Sequence, residues 1–193
     1  MEFVSISTLL RQDKLNSVMN KFFVLIVCSF IYSTLVQAQV KVAFIKVYDK
    51  SFVPLKLERN SHFFHLAISY QDGWVHAHNF RGVEKIKHFK EMGFEHFTVT
   101  TLTAVQHPNL DHEITKYIGK KFDRHFSWGG EELYCSELIA RIFSIEPTPM
   151  SFDGEQWERM LSSRGQLGIS PDEVYEALSE QGFQIDRNCS TFL

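Results

Sequence analysis

Cysteine is scarce in this chain: three among 193 residues, at positions 28, 135 and 189. No Cys-x-x-Cys and no His-Glu-x-x-His occurs, so the ligand spacings of zinc ribbons and zincin-type metalloproteases are missing. Positive charge is also in short supply. With 20 Lys and Arg against 23 Asp and Glu, the formal charge is −3, which speaks against a general nucleic-acid binder with its basic face. There is no internal repeat and no low-complexity linker. What remains is the composition of an ordinary globular domain, 44% hydrophobic and 22% charged. Eighteen phenylalanines stand out and point to an aromatic-rich core or an apolar groove.

The first 38 residues read as targeting. In "MNKFFVLIVCSFIYSTLVQAQV" Lys21 supplies a positive start, Phe22 to Val36 an apolar stretch, and Val36-Gln37-Ala38 a small-residue cleavage pattern. The stretch is short for a span of ~20 residues, so a cleaved signal peptide fits it, with no stable membrane span afterwards. "MEFVSISTLLRQDKLNSV" is an unusual preface to such a signal, and Met19 is a second candidate start. Val27 ahead of Cys28 is a poor match to a lipid-attachment site. The expected division is therefore residues 1–38 as leader and 39–193 as a single domain, periplasmic or secreted. That domain keeps all nine histidines and carries a charge of −4, because Arg11, Lys14 and Lys21 leave with Glu2 and Asp13. Cys135 and Cys189 have no spacing signature of a disulfide.

Along the mature chain, "VKVAFIKVY" (40–48) and "FEHFTVTTL" (94–102) have the β-branched and aromatic content of strands. "FHLAIS" (64–69) and "GWVHAH" (73–78) flank "YQDG", where Asp-Gly supplies hairpin turn chemistry. The period then becomes helical: Leu110, Ile114, Tyr117 and Ile118 follow Pro108, and Leu133, Leu138, Ile139, Ile142 and Phe143 mark a second helix. "SPDEVYEALSEQG" carries a full set of helix signals, with Ser170 as cap, Pro171 in the first turn, Glu173 closing a capping box and Gly182 as stop. A last strand is expected at 183–187. Strands followed by helices give an α+β domain with its sheet packed against helices.

"SWGGEELYCSEL" sets Cys135 at the first turn of the second helix, just after a Gly-Gly loop. A helix N-terminus favours a thiolate, while Glu131, Glu132 and Glu137 oppose it, so a reactive thiol here requires a partner imidazole. His65 lies in an otherwise apolar strand. His76 and His78 share a face of the next one, and a hairpin would bring one of them beside His65. Thiol, base and orienting group are the parts of a nucleophilic site. A buried inert cysteine and a hydrogen-bonded core histidine account for the same residues without chemistry.

Four blocks in order resemble the permuted papain-like hydrolases of the YaeF/YiiX type, relatives of the NlpC-type cell-wall peptidases. They are "FFHLAIS", "WVHAHNFRGVEKI", "YIGKKFDRHF" and "LYCSELIARIF", with "ISPDEV" similar to a recurrent Ser-Pro-Asp segment, spanning roughly residues 40 to 185. The resemblance implies a circularly permuted papain-like (NlpC-type) fold with an antiparallel sheet, the histidine strand preceding the cysteine helix. It implies Cys135 as nucleophile, His65 as general base and His76 in the third position, where YiiX-type relatives usually have glutamate. Ala67 stands where glycine is common. Tyr134 could help bind an oxyanion or simply pack, and Asp123 reads as structural.

The expected activity is a thiol hydrolase cleaving an amide in a peptide, cell-wall or acyl substrate, with no metal and no organic cofactor. An acyl-ester or lipid hydrolase, or an acyltransferase, is the second reading. A non-enzymatic metal-binding module built on "HFFH" (62–65) and "HAH" (76–78) is the third. If the leader is read correctly, N-terminal sequencing of the exported species will begin at Gln39. A mature protein that still carries Met1 or Met19 would overturn the leader.

Overall fold

The structure, a computed structural model, describes residues 38–151, 165–186 and 191–192. Apart from Ala38, the expected leader lies outside the described residues, as does Cys189.

The domain is α+β. Strands β1 (Gln39–Tyr48), β2 (His65–Tyr70), β3 (Gly73–His78), β4 (Gly82–Ile86) and β5 (His96–Val105) come first, with a 3-10 turn at Phe89–Met92. Helices α1 (Leu110–Thr115) and α2 (Cys135–Ile142) follow. Then come the short strands β6 (Thr148–Pro149) and β7 (Leu167–Gly168), helix α3 (Pro171–Glu180), and strands β8 (Gln184–Ile185) and β9 (Thr191–Phe192). The main sheet runs β4-β3-β2-β1-β5-β8, with β9 also pairing β5, and its ladders are antiparallel.

Alternation along the strands sorts the core into two layers, since successive side chains point to opposite faces. Val42, Phe44, Leu66, Ile68, Val75, Ala77 and Leu102 face one way and pack with Leu110, Ile114, Leu138, Ile139, Val174 and Leu178 of the three helices. Ala43, Ile45, Val47, Ala67, Ile86, Phe97 and Val99 face the other way, under Phe64, Trp74, Phe89 and Phe94. Strand β1 is buried on both faces, which is why "VAFI" reads as an unbroken apolar run. Its register with β5 holds from Gln39↔Val105 to Tyr48↔His96, and this carries β5 three residues past the expected end at Leu102.

Many of the phenylalanines pack as core pairs. Phe44, Phe63 and Tyr175 form a triangle with centroids 5.0–5.2 Å apart, and Phe143 meets Phe183 at 5.2 Å. Helix α3 has the expected capping box: Ser170 Oγ accepts from the Glu173 amide at 3.3 Å and Glu173 Oε2 accepts from the Ser170 amide at 2.6 Å. The helix after Pro108 is shorter than its apolar spacing suggested, because Lys116 already caps it and Gly119 turns the chain at φ 89°.

The β2–β3 turn differs from the Asp-Gly expectation. Tyr70 pairs with Gly73, so the loop is Gln71–Asp72, and Gln71 is the left-handed residue at φ 52°. Gly73 is required for a different reason: a Cβ there would sit 2.3 Å from the Ile86 carbonyl oxygen of β4. Gly73→Ala is therefore expected to destabilise the domain by about 1–3 kcal/mol through backbone overpacking. Urea unfolding measures this, and an unchanged midpoint would mean that β3 and β4 are not held this closely.

Candidate active site

Strand β2 opens with His65, and the segment before it is anchored by helix α3. Asp172 Oδ1 accepts from the His62 amide at 2.8 Å and sits 3.1 Å from His62 Nδ1, while Oδ2 accepts from the Phe63 amide at 3.2 Å. The "SPDE" segment thus does more than start a helix, because it sets where β2 begins. His62 is spent on this contact. His65 and His76 lie on the sheet face opposite the helices, 7% and 0% exposed. The β2–β3 ladder runs only from Tyr70↔Gly73 to Ile68↔Val75. Pairing stops short of the two histidines, whose rings meet edge to face at 5.1 Å.

His65 Nε2 lies 2.9 Å from His76 Nδ1, and His76 Nε2 lies 3.2 Å from Glu84 Oε1. Glu84 stands directly opposite His76 in the β3–β4 ladder. Arg81 Nε donates to both Glu84 oxygens at 2.8 Å. These contacts fix the tautomers. A carboxylate only accepts, so His76 donates from Nε2 and its Nδ1 is a lone pair. His65 must then donate from Nε2, which leaves its Nδ1 as the basic nitrogen.

Burial keeps both rings neutral. It pulls His65 well below the usual histidine range, and the charges of His76 and His78 add to the effect. For His76 burial also dominates, and although Glu84 pushes upward the value falls to about 4. Glu84 is held low overall: partial burial raises it, but the hydrogen bonds and charge of Arg81, with His76, outweigh this. His78 has a different task, since its Nδ1 accepts from the amides of Phe80 and Arg81 at 3.1 and 3.2 Å and shapes the β3–β4 turn.

Cys135 is the first residue of α2, after Tyr134 as N-cap, and it is 6% exposed within the helix-facing core. Burial pushes its thiol up to about 11, although the amides of Leu66, Ser136 and Cys135 itself and the Ser136 hydroxyl draw it back. Burial, more than the neighbouring glutamates, is what opposes the thiolate. The Leu66 contact ties the thiol to β2 at the residue after His65. Among the described residues no hydrogen bond joins Cys135 Sγ to the His65 ring, so the thiol and the histidine pair meet the same strand without bonding each other.

The surrounding motif residues hold the frame. Tyr134 OH accepts from the Ile169 amide at 3.0 Å, and burial raises its pKa far above the usual phenol value. Asp123 accepts from the His125 amide at 2.7 Å and from the amide and hydroxyl of Ser127 at 2.6 and 2.8 Å, knotting the loop before α2. Glu137, fully buried, bonds Arg141 at 2.6 Å and the Gly129 amide at 3.2 Å, so the Gly-Gly loop is tied to the helix that follows it.

The residue that sequence reasoning missed is Glu84. Strand β4 was not among the expected elements, because "GVEKI" sets Glu84 and Lys85 side by side and lacks the alternation of a half-buried strand. Pairing it back across Asn79–Arg81 would have placed Glu84 beside His76.

No family model matches the chain, and no curated protein matches it. Among solved structures the fold is similar to the crystal structure of metalloprotein yiiX from Escherichia coli O157:H7, with a TM-score of 0.55 at 12% identity, covering 81% of this chain and 99% of that one. At that identity the likeness is one of fold. Among the described residues no three His, Cys, Asp or Glu side chains converge to hold a metal ion. The "HFFH" and "HAH" pairs are divided between His62–Asp172, His65–His76–Glu84 and the turn at His78.

The lowered imidazoles give stability a direction in pH. Above pH ~6.5 the neutral rings cost nothing extra; as pH falls the unfolded chain takes up protons that the folded one refuses until about pH 4 for His76. Stability is complete above the ordinary histidine value and is lost on acidification through this window, His76 alone contributing about 2 kcal/mol at pH 5. Urea titrations at pH 7.5 and 5.0 will show the loss, and His76→Gln should flatten it. A stability that rises on acidification would mean that the pair is charged in the folded state.

Proposed function

We propose that this domain is an exported cysteine hydrolase that cleaves an amide bond, with a peptide of the cell wall as its substrate class and a circularly permuted papain-like arrangement as its framework. The observation that carries the reading is the buried chain His65–His76–Glu84, which leaves His65 Nδ1 basic at the start of the strand that also meets the Cys135 thiol. Export, to the periplasm or beyond, rests on the leader pattern of residues 1–38. The YiiX-like fold supports the framework, and the identity of the reaction is a further step.

In this reading the resting pair is neutral thiol and neutral imidazole. Substrate binding has to bring the Cys135 thiol within reach of His65 Nδ1 as well as bring the scissile carbonyl to the thiol; His65 Nδ1 then takes the thiol proton, and sulfur attacks the carbonyl carbon. As the C–N bond breaks, His65 returns that proton to the leaving amine. Water, deprotonated by the same nitrogen, then attacks the thioester and releases acid and free thiol. His76 holds His65 in the donating tautomer and Glu84 holds His76. Histidine in a position usually held by carboxylate is therefore not the end of the chain here, because the carboxylate stands one residue further out.

The reading predicts a ranking. Cys135→Ala abolishes acyl-enzyme formation with an activated ester or amide probe, and His65→Ala is nearly as damaging. His76→Ala costs about 10- to 1000-fold in kcat, within the ~10²–10⁴ span of acid–base effects. Glu84→Gln costs less, about tenfold, because an amide can accept from His76 but does not compel it to donate. His78→Ala stays within a few-fold. Mass spectrometry of the labelled protein and steady-state rates on amide and fatty-acyl ester substrates check this order, with folding followed by circular dichroism. Absence of any acyl-enzyme on Cys135 with both amide and ester probes would favour an inert thiol, and a preference for acyl esters would move the substrate from peptide to lipid.

A further inference from the structure

Next to the histidine chain lies a cleft of about 380 Å³, bounded by the β3–β4 turn, the segment after α1 and Glu132. Its wall carries Arg81, Lys120, Lys121 and Arg124 against the single carboxylate of Glu132. A cluster of four cations is out of proportion in a chain whose net charge is −3. Arg81 is neutralised by Glu84 at 2.6 Å. Among the described residues, Lys120, Lys121 and Arg124 enter no ion pair.

The wall is also rigid. The Val83 amide donates to the Lys120 carbonyl at 2.7 Å, the Gly119 amide to the Val83 carbonyl at 2.8 Å, and the Leu133 amide to the Lys121 carbonyl at 2.9 Å. Gly82, at φ 77°, lets the strands close, because a Cβ there would lie 2.2 Å from the Lys120 oxygen. The Arg124 guanidinium stands 5.3 Å over the ring of Phe80, which is 77% exposed at the rim. Cations with no carboxylate partner, carried on a braced backbone around a concave wall, concentrate field in the cleft and favour an anion there.

We propose that this cleft is a binding subsite for an anionic group of the substrate, a carboxylate or phosphate set apart from the bond being cut. The inference rests on the hydrolase reading for the word substrate and on the cleft alone for the anion. Two features connect cleft and site. Arg81 lines one and clamps Glu84 in the other, and Glu132 precedes Cys135 by three residues in a segment bonded to Lys121. A peptide bearing a free side-chain carboxylate fits a cleft of this charge, and a neutral acyl ester does not.

The test is calorimetric binding to the full chain carrying Cys135→Ala, so that nothing is turned over. The probes are an acetylated dipeptide with two free carboxylates, its diamide, and inorganic phosphate. The dicarboxylate is expected to bind at least tenfold more tightly than the diamide and to weaken with added salt. Lys120→Gln, Lys121→Gln and Arg124→Gln combined should remove at least tenfold of that affinity while leaving the circular dichroism spectrum unchanged. Tighter binding of phosphate than of the dicarboxylate supports the site and assigns it to a phosphoryl group. Equal binding of dicarboxylate and diamide, no binding of either anion, or an affinity untouched by the triple substitution overturns it. Acyl-probe labelling of Cys135 in the unsubstituted protein decides the hydrolase reading separately.

Discussion

A carboxylate that accepts but never donates sets the proton arrangement of the buried histidines. Glu84 requires a proton on His76 Nε2, His76 then offers only a lone pair at Nδ1, and His65 must turn its own N–H toward that lone pair. The single basic nitrogen left is His65 Nδ1. Burial makes the arrangement durable, because a ring that resists protonation does not exchange its roles. Arg81 completes the chain by holding Glu84 from both Nε and Nη2, and a clamp of that form fixes orientation as well as charge.

The same burial that orders the imidazoles works against the thiol. With Cys135 pushed up to about 11 and His65 held low, the neutral pair is favoured over the ion pair. A helix N-terminus is often enough to lower a thiol, but here the amides of Leu66, Ser136 and Cys135 recover only part of the loss. In the proposed reaction the proton therefore moves as the sulfur attacks, which requires substrate to be in place first. A thiol kept protonated at rest is also protected from oxidation, since the thiolate is the form that oxidises.

Around this centre, residues with catalytic chemistry are used as struts. Asp123 accepts three bonds from its own loop, Glu137 and Arg141 brace the Gly-Gly approach to α2, Tyr134 anchors Ile169, and Asp172 fixes the entry to β2. Asp123, Glu137, Tyr134 and Asp172 each accept from backbone amides and so tie the loops to the elements beside them. A conspicuous "YCSEL" is thus mostly architecture, with one thiol in it.

Local pattern was enough to determine the α+β order, the alternation that puts His76 and not Val75 on the face of His65, the place of Cys135 in the first turn of α2 and the capping box of α3. Each depends on residues close in sequence, where period and capping chemistry act directly. Tertiary structure alone decided the rest. The partner of His76 required β4 to fold back and set Glu84 opposite it, and the high thiol and low imidazole values required helices and aromatic side chains to exclude water from groups distant in the chain. The cations from the β3–β4 turn and from residues 120–124 become one cleft only when Val83 bonds Lys120. Burial and long-range pairing are properties of the packed chain, and no window of sequence contains them.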